Sequence, residues 1–262
     1  MSPNPIHKAL SILCAYRVRA LLMGGQACIL YGAAEFSRDI DVAVLADENN
    51  LARLRTALDR LDAEPVFVPP LGRDVLLRGH ACHFRCRMAG TEGVRIDVMT
   101  VLHGCEPFAA LWSRRRTLSL PDVGRVHVLS LADLVHAKKT QRDKDWPMVR
   151  RLVEADYHGH RFAPARERIV FWLREVRTTD LLLELCRRYA RTARQLAAAR
   201  PTLGRALLGD RAGVERAPEA EQQRCRAIDR AYWAPLRDEL AQWRSETTRT
   251  AAPSSRKRRR WR

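Results

Sequence analysis

Two carboxylates, Asp39 and Asp41, flank Ile40 in a segment that continues as Val42-Ala43-Val44-Leu45. This pair constrains the chain more than any other feature. The segment alternates and then turns apolar, the pattern of a half-buried strand. Side chains two apart on a strand project from one face, so Asp39 and Asp41 stand side by side. Ahead of them, across a gap of thirteen residues, Gly24-Gly25 ends the short apolar run Leu21-Leu22-Met23 and opens a helical stretch from Gln26 to Tyr31. Glycines there let backbone N–H groups approach an anion at a helix start. A third carboxylate, Asp97, sits inside another strand-like run, Val94-Arg95-Ile96-Asp97-Val98. Three carboxylates from neighbouring strands supply the hard oxygen donors that Mg²⁺ takes. Such a cluster can hold two ions about 3.5–4 Å apart.

The order Gly-Gly, gap, Asp-apolar-Asp, later Asp resembles the DNA polymerase β-like nucleotidyltransferase superfamily over roughly residues 15–105. Within it, the chain looks most similar to the bacterial minimal and AbiEii-type (type IV toxin) nucleotidyltransferases, in which helices follow the catalytic domain. The connector Tyr31-Gly32-Ala33-Ala34-Glu35-Phe36-Ser37-Arg38 is similar to the family's, with a hydroxyl (Ser37) and a basic residue (Arg38) just ahead of the Asp pair. Glu35 departs from it, standing where relatives often carry Arg. The resemblance implies that Asp39 and Asp41 bind two Mg²⁺ ions with Asp97, and that Asp97 helps take the acceptor's proton. It further implies that Gly24 and Gly25 contact the triphosphate of an NTP, and that NMP is transferred to a hydroxyl with loss of pyrophosphate. A partner antitoxin protein belongs to the same expectation.

The expected fold is α+β. A small mixed or antiparallel sheet flanked by helices fills residues 1–128, a helical domain follows over 129–246, and a disordered basic tail covers 247–262. Glu48 to Leu61 carries Leu51, Leu54, Leu58 and Leu61 at helical spacing, while Val75 to Arg78, His83 to Met88 and Val94 to Val101 read as extended. Ser130 caps a helix whose third position is Asp133, and Pro147 suits the first turn of the next helix. Further helices are expected over Pro164–Val176, Thr179–Ala199 and about Glu219–Trp243.

In Lys138-Lys139-Thr140-Gln141-Arg142-Asp143-Lys144-Asp145, helical spacing would align Lys138, Arg142 and Asp145 on one face, with Lys139 and Asp143 on another. Lys138 and Arg142, then Lys144, are the candidates for gripping phosphates. The competing reading is a solvated face of ion pairs. His80-Ala81-Cys82-His83-Phe84-Arg85-Cys86 places four soft-metal ligands in seven residues, but no second Cys/His pair lies at zinc spacing, so ordinary strand residues are favoured.

Lys and Arg outnumber Asp and Glu by 47 to 30, a net charge of +17. The tail Arg256-Lys257-Arg258-Arg259-Arg260-Trp261-Arg262 supplies only six of these, so the excess is spread along the chain. It favours a polyanionic acceptor, RNA or tRNA, over a cationic small molecule. Transfer to a protein hydroxyl and a catalytically silent nucleotide- or nucleic-acid-binding module are the alternatives. No Gly-x-Ser-x-Gly elbow or Gly-x-x-x-x-Gly-Lys-[Ser/Thr] loop is present. Seven cysteines without framework spacing, no secretory pattern and no membrane-length apolar run give the expectation of a reduced, cytoplasmic protein without membrane contact.

Overall fold

The structure, a computed structural model, describes residues 4–34, 36–66 and 69–251, with side chains to residue 246. Glu35 and the basic run from Arg256 therefore lie outside the described residues. Among the described residues, seven strands build one sheet: β1 (Ala20–Met23), β2 (Asp39–Val44), β3 (Ala63–Pro65), β4 (Cys82–Cys86), β5 (Arg95–Met99), β6 (Arg116–Leu120) and β7 (Gly124–Val128). Their order is β3-β4-β5-β2-β1-β7-β6. The sheet is mixed: β2 pairs parallel with β5 and β1 parallel with β7, and the other ladders are antiparallel.

Helices interleave with the strands: α1 (Pro5–Ala15), α2 (Gly24–Leu30), α3 (Glu48–Arg60), α4 (Arg73–Leu77) and α5 (Phe108–Ser113). Every described element after Val128 is helical: α6 (Leu131–Ala137), α7 (Asp145–His160), α8 (Arg166–Glu175), α9 (Thr179–Arg188), α10 (Ala190–Leu196), α11 (Pro201–Leu207) and α12 (Arg211–Ala251). A mixed sheet flanked by helices thus precedes an all-helical region. No helix among the described residues is long and apolar enough to cross a membrane.

Local chemistry sets many of these boundaries. The Asp47 side chain accepts from the Asn50 N–H and starts α3, and Ser130 accepts from the Asp133 N–H and starts α6. In α3, Leu51, Leu54 and Leu58 are buried, the stripe expected from their spacing. Some expected elements differ. In Val75 to Arg78, read as extended, Val75 to Leu77 lie in α4 and Arg78 caps its end; Leu76 is buried and Leu77 exposed, and Gly72 caps the start. The single helix expected over Thr179–Ala199 breaks at Tyr189 (φ −122°, ψ 41°), so that α9 and α10 both pack on α11.

The long α12 crosses back to the strands and is fastened through buried polar groups. Asp229 accepts from the Gln141 N–H (2.8 Å) and meets His103 Nδ1 (3.1 Å), and Glu239 meets His80 Nε2 (2.7 Å). Within the helical region, Glu221 takes Arg200, Arg177 and Thr202. Burial alone would raise the Glu221 carboxyl, but the two guanidinium groups and the hydroxyl outweigh it and hold it low. A depressed folded value stabilises the protein above the unfolded pKa, and that stability is lost as pH falls through the folded value. Glu221→Gln is therefore expected to lower the melting temperature at neutral pH and to flatten its decline below about pH 4. Thermal melts at stepped pH would show this, and parallel curves for the two proteins would contradict it.

Candidate active site

The β2–β5 ladder puts Asp41 directly beside Asp97 and Asp39 beside Arg95. On the other side of β5, β4 sets His83 against Asp97 and Arg85 against Arg95. Partners in register share a face, so Arg85, His83, Arg95, Asp97, Asp39 and Asp41 form one polar strip across three strands. The opposite face is apolar, with Ile40, Val42, Ile96 and Val98 fully or nearly buried. Period-two alternation alone separates strip from core.

Gly24 seats Asp41. Its φ is +63°, and an added Cβ would fall 2.7 Å from Asp41 Cβ and closer still to the carboxylate. The Gly25 N–H donates to that carboxylate. At Gly25 a Cβ would fall 2.8 Å from Ser37 Cβ, and the Ser37 hydroxyl in turn donates to the Asp39 carbonyl (3.3 Å). Both glycines are thus explained by side chains that cross above them. Burial, then the Asp97 charge, pushes the Asp41 carboxyl upward, and Lys138 opposes the shift. Arg38 is exposed, its guanidinium 5.5 Å from the centre of the Phe36 ring.

Asp97 is differently placed. Arg95 grips it with two hydrogen bonds (Nε to Oδ1, 2.6 Å; Nη2 to Oδ2, 2.8 Å), and His83 Nδ1 lies 2.8 Å from Oδ1. Burial would raise this carboxyl, yet His83 and Arg95 together hold it below the usual range. Three of its roughly four lone-pair positions are occupied. Among the described residues, no three His, Cys, Asp or Glu side chains form a group that could hold a metal ion. The donor set itself suits magnesium, because Asp39 and Asp41 offer hard oxygens on the face that Asp97 shares. Asp97 could join them only by sharing its oxygens with Arg95 and His83.

Arg95 carried no expected role in the sequence, and His83 stood there only as one of four soft-metal ligands, not as a partner of Asp97. Arg95 lies two residues before Asp97 on a strand, a spacing that could have flagged it. The soft-ligand cluster disperses. His80 lies outside β4 and turns to Glu239, while Cys82 and Cys86 are buried on the face away from Asp97, their thiols pushed up to about 11 by burial.

The lysine-rich segment is not a helix. α6 ends at Ala137 and α7 begins at Asp145, so the expected shared helical face is replaced by a turn that closes on Asp145. Buried Asp145 accepts from Lys138 Nζ (3.2 Å), the Thr140 hydroxyl (2.6 Å) and Arg142 Nε (2.8 Å). Lys139 pairs with Glu175 and Asp143 with Arg226, not with each other. Lys138 is carried toward Asp41, whereas Arg142 and Lys144 are exposed. Breaking a buried ion pair on one side costs about 3 kcal/mol or more. Asp145→Ala should lose about that much in denaturant unfolding, and a loss below about 1 kcal/mol would contradict the pairing.

No protein-family model and no curated protein matches this chain. Among solved structures, it is similar to the crystal structure of a provisionally named nucleotidyltransferase from H. pylori, at 12% identity and a TM-score of 0.39, over 86% of this chain and 97% of that one.

Proposed function

We propose that this chain transfers a nucleoside monophosphate from an NTP to an acceptor hydroxyl, with RNA as the acceptor and pyrophosphate as the leaving group. The observation that carries the reading is the placement of Asp41 beside Asp97 in register, over a left-handed glycine whose missing side chain makes room for the carboxylate. Asp39 and Asp41, joined by Asp97, would hold magnesium, which when bound neutralises the triphosphate and activates the attacking hydroxyl. The chain's own contribution is positional. Asp145 holds the Lys138 ammonium near the aspartates, where a cation can meet a phosphate oxygen. Arg95 and His83 keep Asp97 ionised and fix its direction. A buried carboxylate kept charged can accept a proton only if Arg95 or His83 yields some of its grip. RNA is favoured by the net charge of +17.

The engagement of Asp97 by Arg95 favours one second reading, a module of the same fold that binds nucleotide without transferring it. Label transfer separates the two. The protein is incubated with each α-labelled NTP, Mg²⁺ and total bacterial RNA, beside an Asp39→Ala/Asp41→Ala control. Label in RNA that requires both aspartates is the expected result. Label on protein keeps the chemistry and changes the acceptor. No transfer, with Mg²⁺-dependent NTP binding intact, establishes the binding module instead.

A further inference from the structure

At the start of β1, the end away from the aspartates, lies a cavity of about 640 Å³. Register fixes its position, since Ala20 pairs with Val44 whereas Met23 pairs with Asp41. The parallel strands β1 and β7 meet only at Leu22↔Val128, which leaves space toward Ala20 and Val126 beneath α1. Leu10, Leu13, Leu22 and Val42 give the cavity apolar walls. Its rim carries Arg17, Arg19, Arg53 and Arg125, contributed by the end of α1, the entry to β1, α3 and β7. Among the described residues, no Asp or Glu lines it.

Some arginines of the chain meet carboxylates: Arg78 with Glu239, Arg95 with Asp97, Arg114 with Asp133, Arg200 with Glu221. Among the described residues, none of the four rim arginines has an acidic partner. Two further observations point the same way. Arg17 holds a left-handed conformation (φ 55°) at the C-terminal turn of α1, closed by Arg17 N–H to Cys14 O and Val18 N–H to Leu13 O. That position favours glycine, so an arginine there keeps a charged side chain at a cost to the backbone. His127, also lining the cavity, is held below its ordinary range by burial and then by Arg115 and Arg125, consistent with a positive local field. The volume lies within the range of small-ligand sites.

We propose that this cavity is a second anion site, which binds the phosphates of a nucleotide unit through Arg17, Arg19, Arg53 and Arg125 while its apolar walls receive the base or sugar. Nothing in this assignment depends on transfer chemistry at the aspartates. The phosphates could belong to single-stranded RNA or to a free nucleotide.

Fluorescence anisotropy on the full chain, in EDTA, tests it with two probes, a labelled single-stranded RNA and a labelled ATP. Arg53→Gln/Arg125→Gln is expected to lose about tenfold in affinity. For RNA, the slope of log affinity against log salt should become shallower by about 1.4. Arg187→Gln/Arg191→Gln, the same charge change on the exposed surface of the helical region, should lose much less. Arg17→Gly guards against misfolding, since it should bind more weakly while melting no lower than the parent. Losses confined to the RNA probe identify nucleic acid as the source, and losses with both identify the nucleotide unit. Unchanged affinity for both probes, or an equal loss in the Arg187/Arg191 control, would overturn the proposal. EDTA removes the magnesium that nucleotide binding at the aspartates would need, so a failed transfer assay and a failed binding assay remain separate results.

Discussion

Asp41→Asn is expected to lower nucleotidyl transfer by about 10³-fold or more, the consequence of removing several kcal/mol of charge stabilisation at the reacting phosphate. The same change should leave the fold intact or more stable. Burial, and then the neighbouring Asp97, already disfavour the ionised Asp41, so a neutral side chain relieves repulsion within the polar strip. An Asn oxygen can still accept from the Gly25 N–H. Melting in EDTA at neutral pH should therefore show a temperature equal to or above that of the parent. The activity loss must appear without any loss of stability. A variant that loses transfer by losing its fold would show that Asp41 is a structural residue.

Gly24→Ala should be nearly as damaging, for a different reason. The left-handed conformation costs an L-residue about 1–2 kcal/mol, and the new methyl would also overlap the Asp41 carboxylate. Both effects act on one residue pair, so transfer should fall to the level of Asp41→Asn while the melting temperature drops by several degrees. Gly32→Ala provides the comparison. Gly32 has φ +74°, but an added Cβ meets nothing within 4 Å. It should pay about the same backbone cost and keep its activity. Equal activity in the two alanine variants would show that the space above Gly24 does not matter to the site.

The polar strip joins these expectations to the fold. It exists because β5 lies between β4 and β2, with one antiparallel and one parallel ladder, so three strands contribute charged residues to one surface. Its outer part carries positive charge, Arg85 and Arg95, and its inner part negative charge, Asp39 and Asp41, with Asp97 at the junction. Asp97 is therefore the residue on which the two readings of function divide. If Arg95 yields when ligand arrives, Asp97 is available; if it does not, the strip binds without reacting.

Much of this was legible in the chain itself. Alternation in Asp39–Val44 and Arg95–Met99 fixed which residues face the core, because a strand has only two sides. Glycines before a helix marked a close approach, since only glycine tolerates φ near +63° beneath another side chain. Capping by Ser130 located a helix start from local hydrogen bonding alone. Pairing across strands was not legible. That His83 and Arg95 close on Asp97 depends on β4 lying beside β5, a contact between segments whose spacing in sequence carries no periodic signal. Helical spacing placed Lys138, Arg142 and Asp145 together, and they are together, but through a turn around one buried carboxylate and not along a helix. The four arginines of the second cavity come from the α1–β1 connection (Arg17 and Arg19), α3 and β7, so no short window of sequence contains them. Local rules determined what each segment could become, and tertiary packing decided which charges meet, because electrostatic energy depends on distance in space and not along the chain.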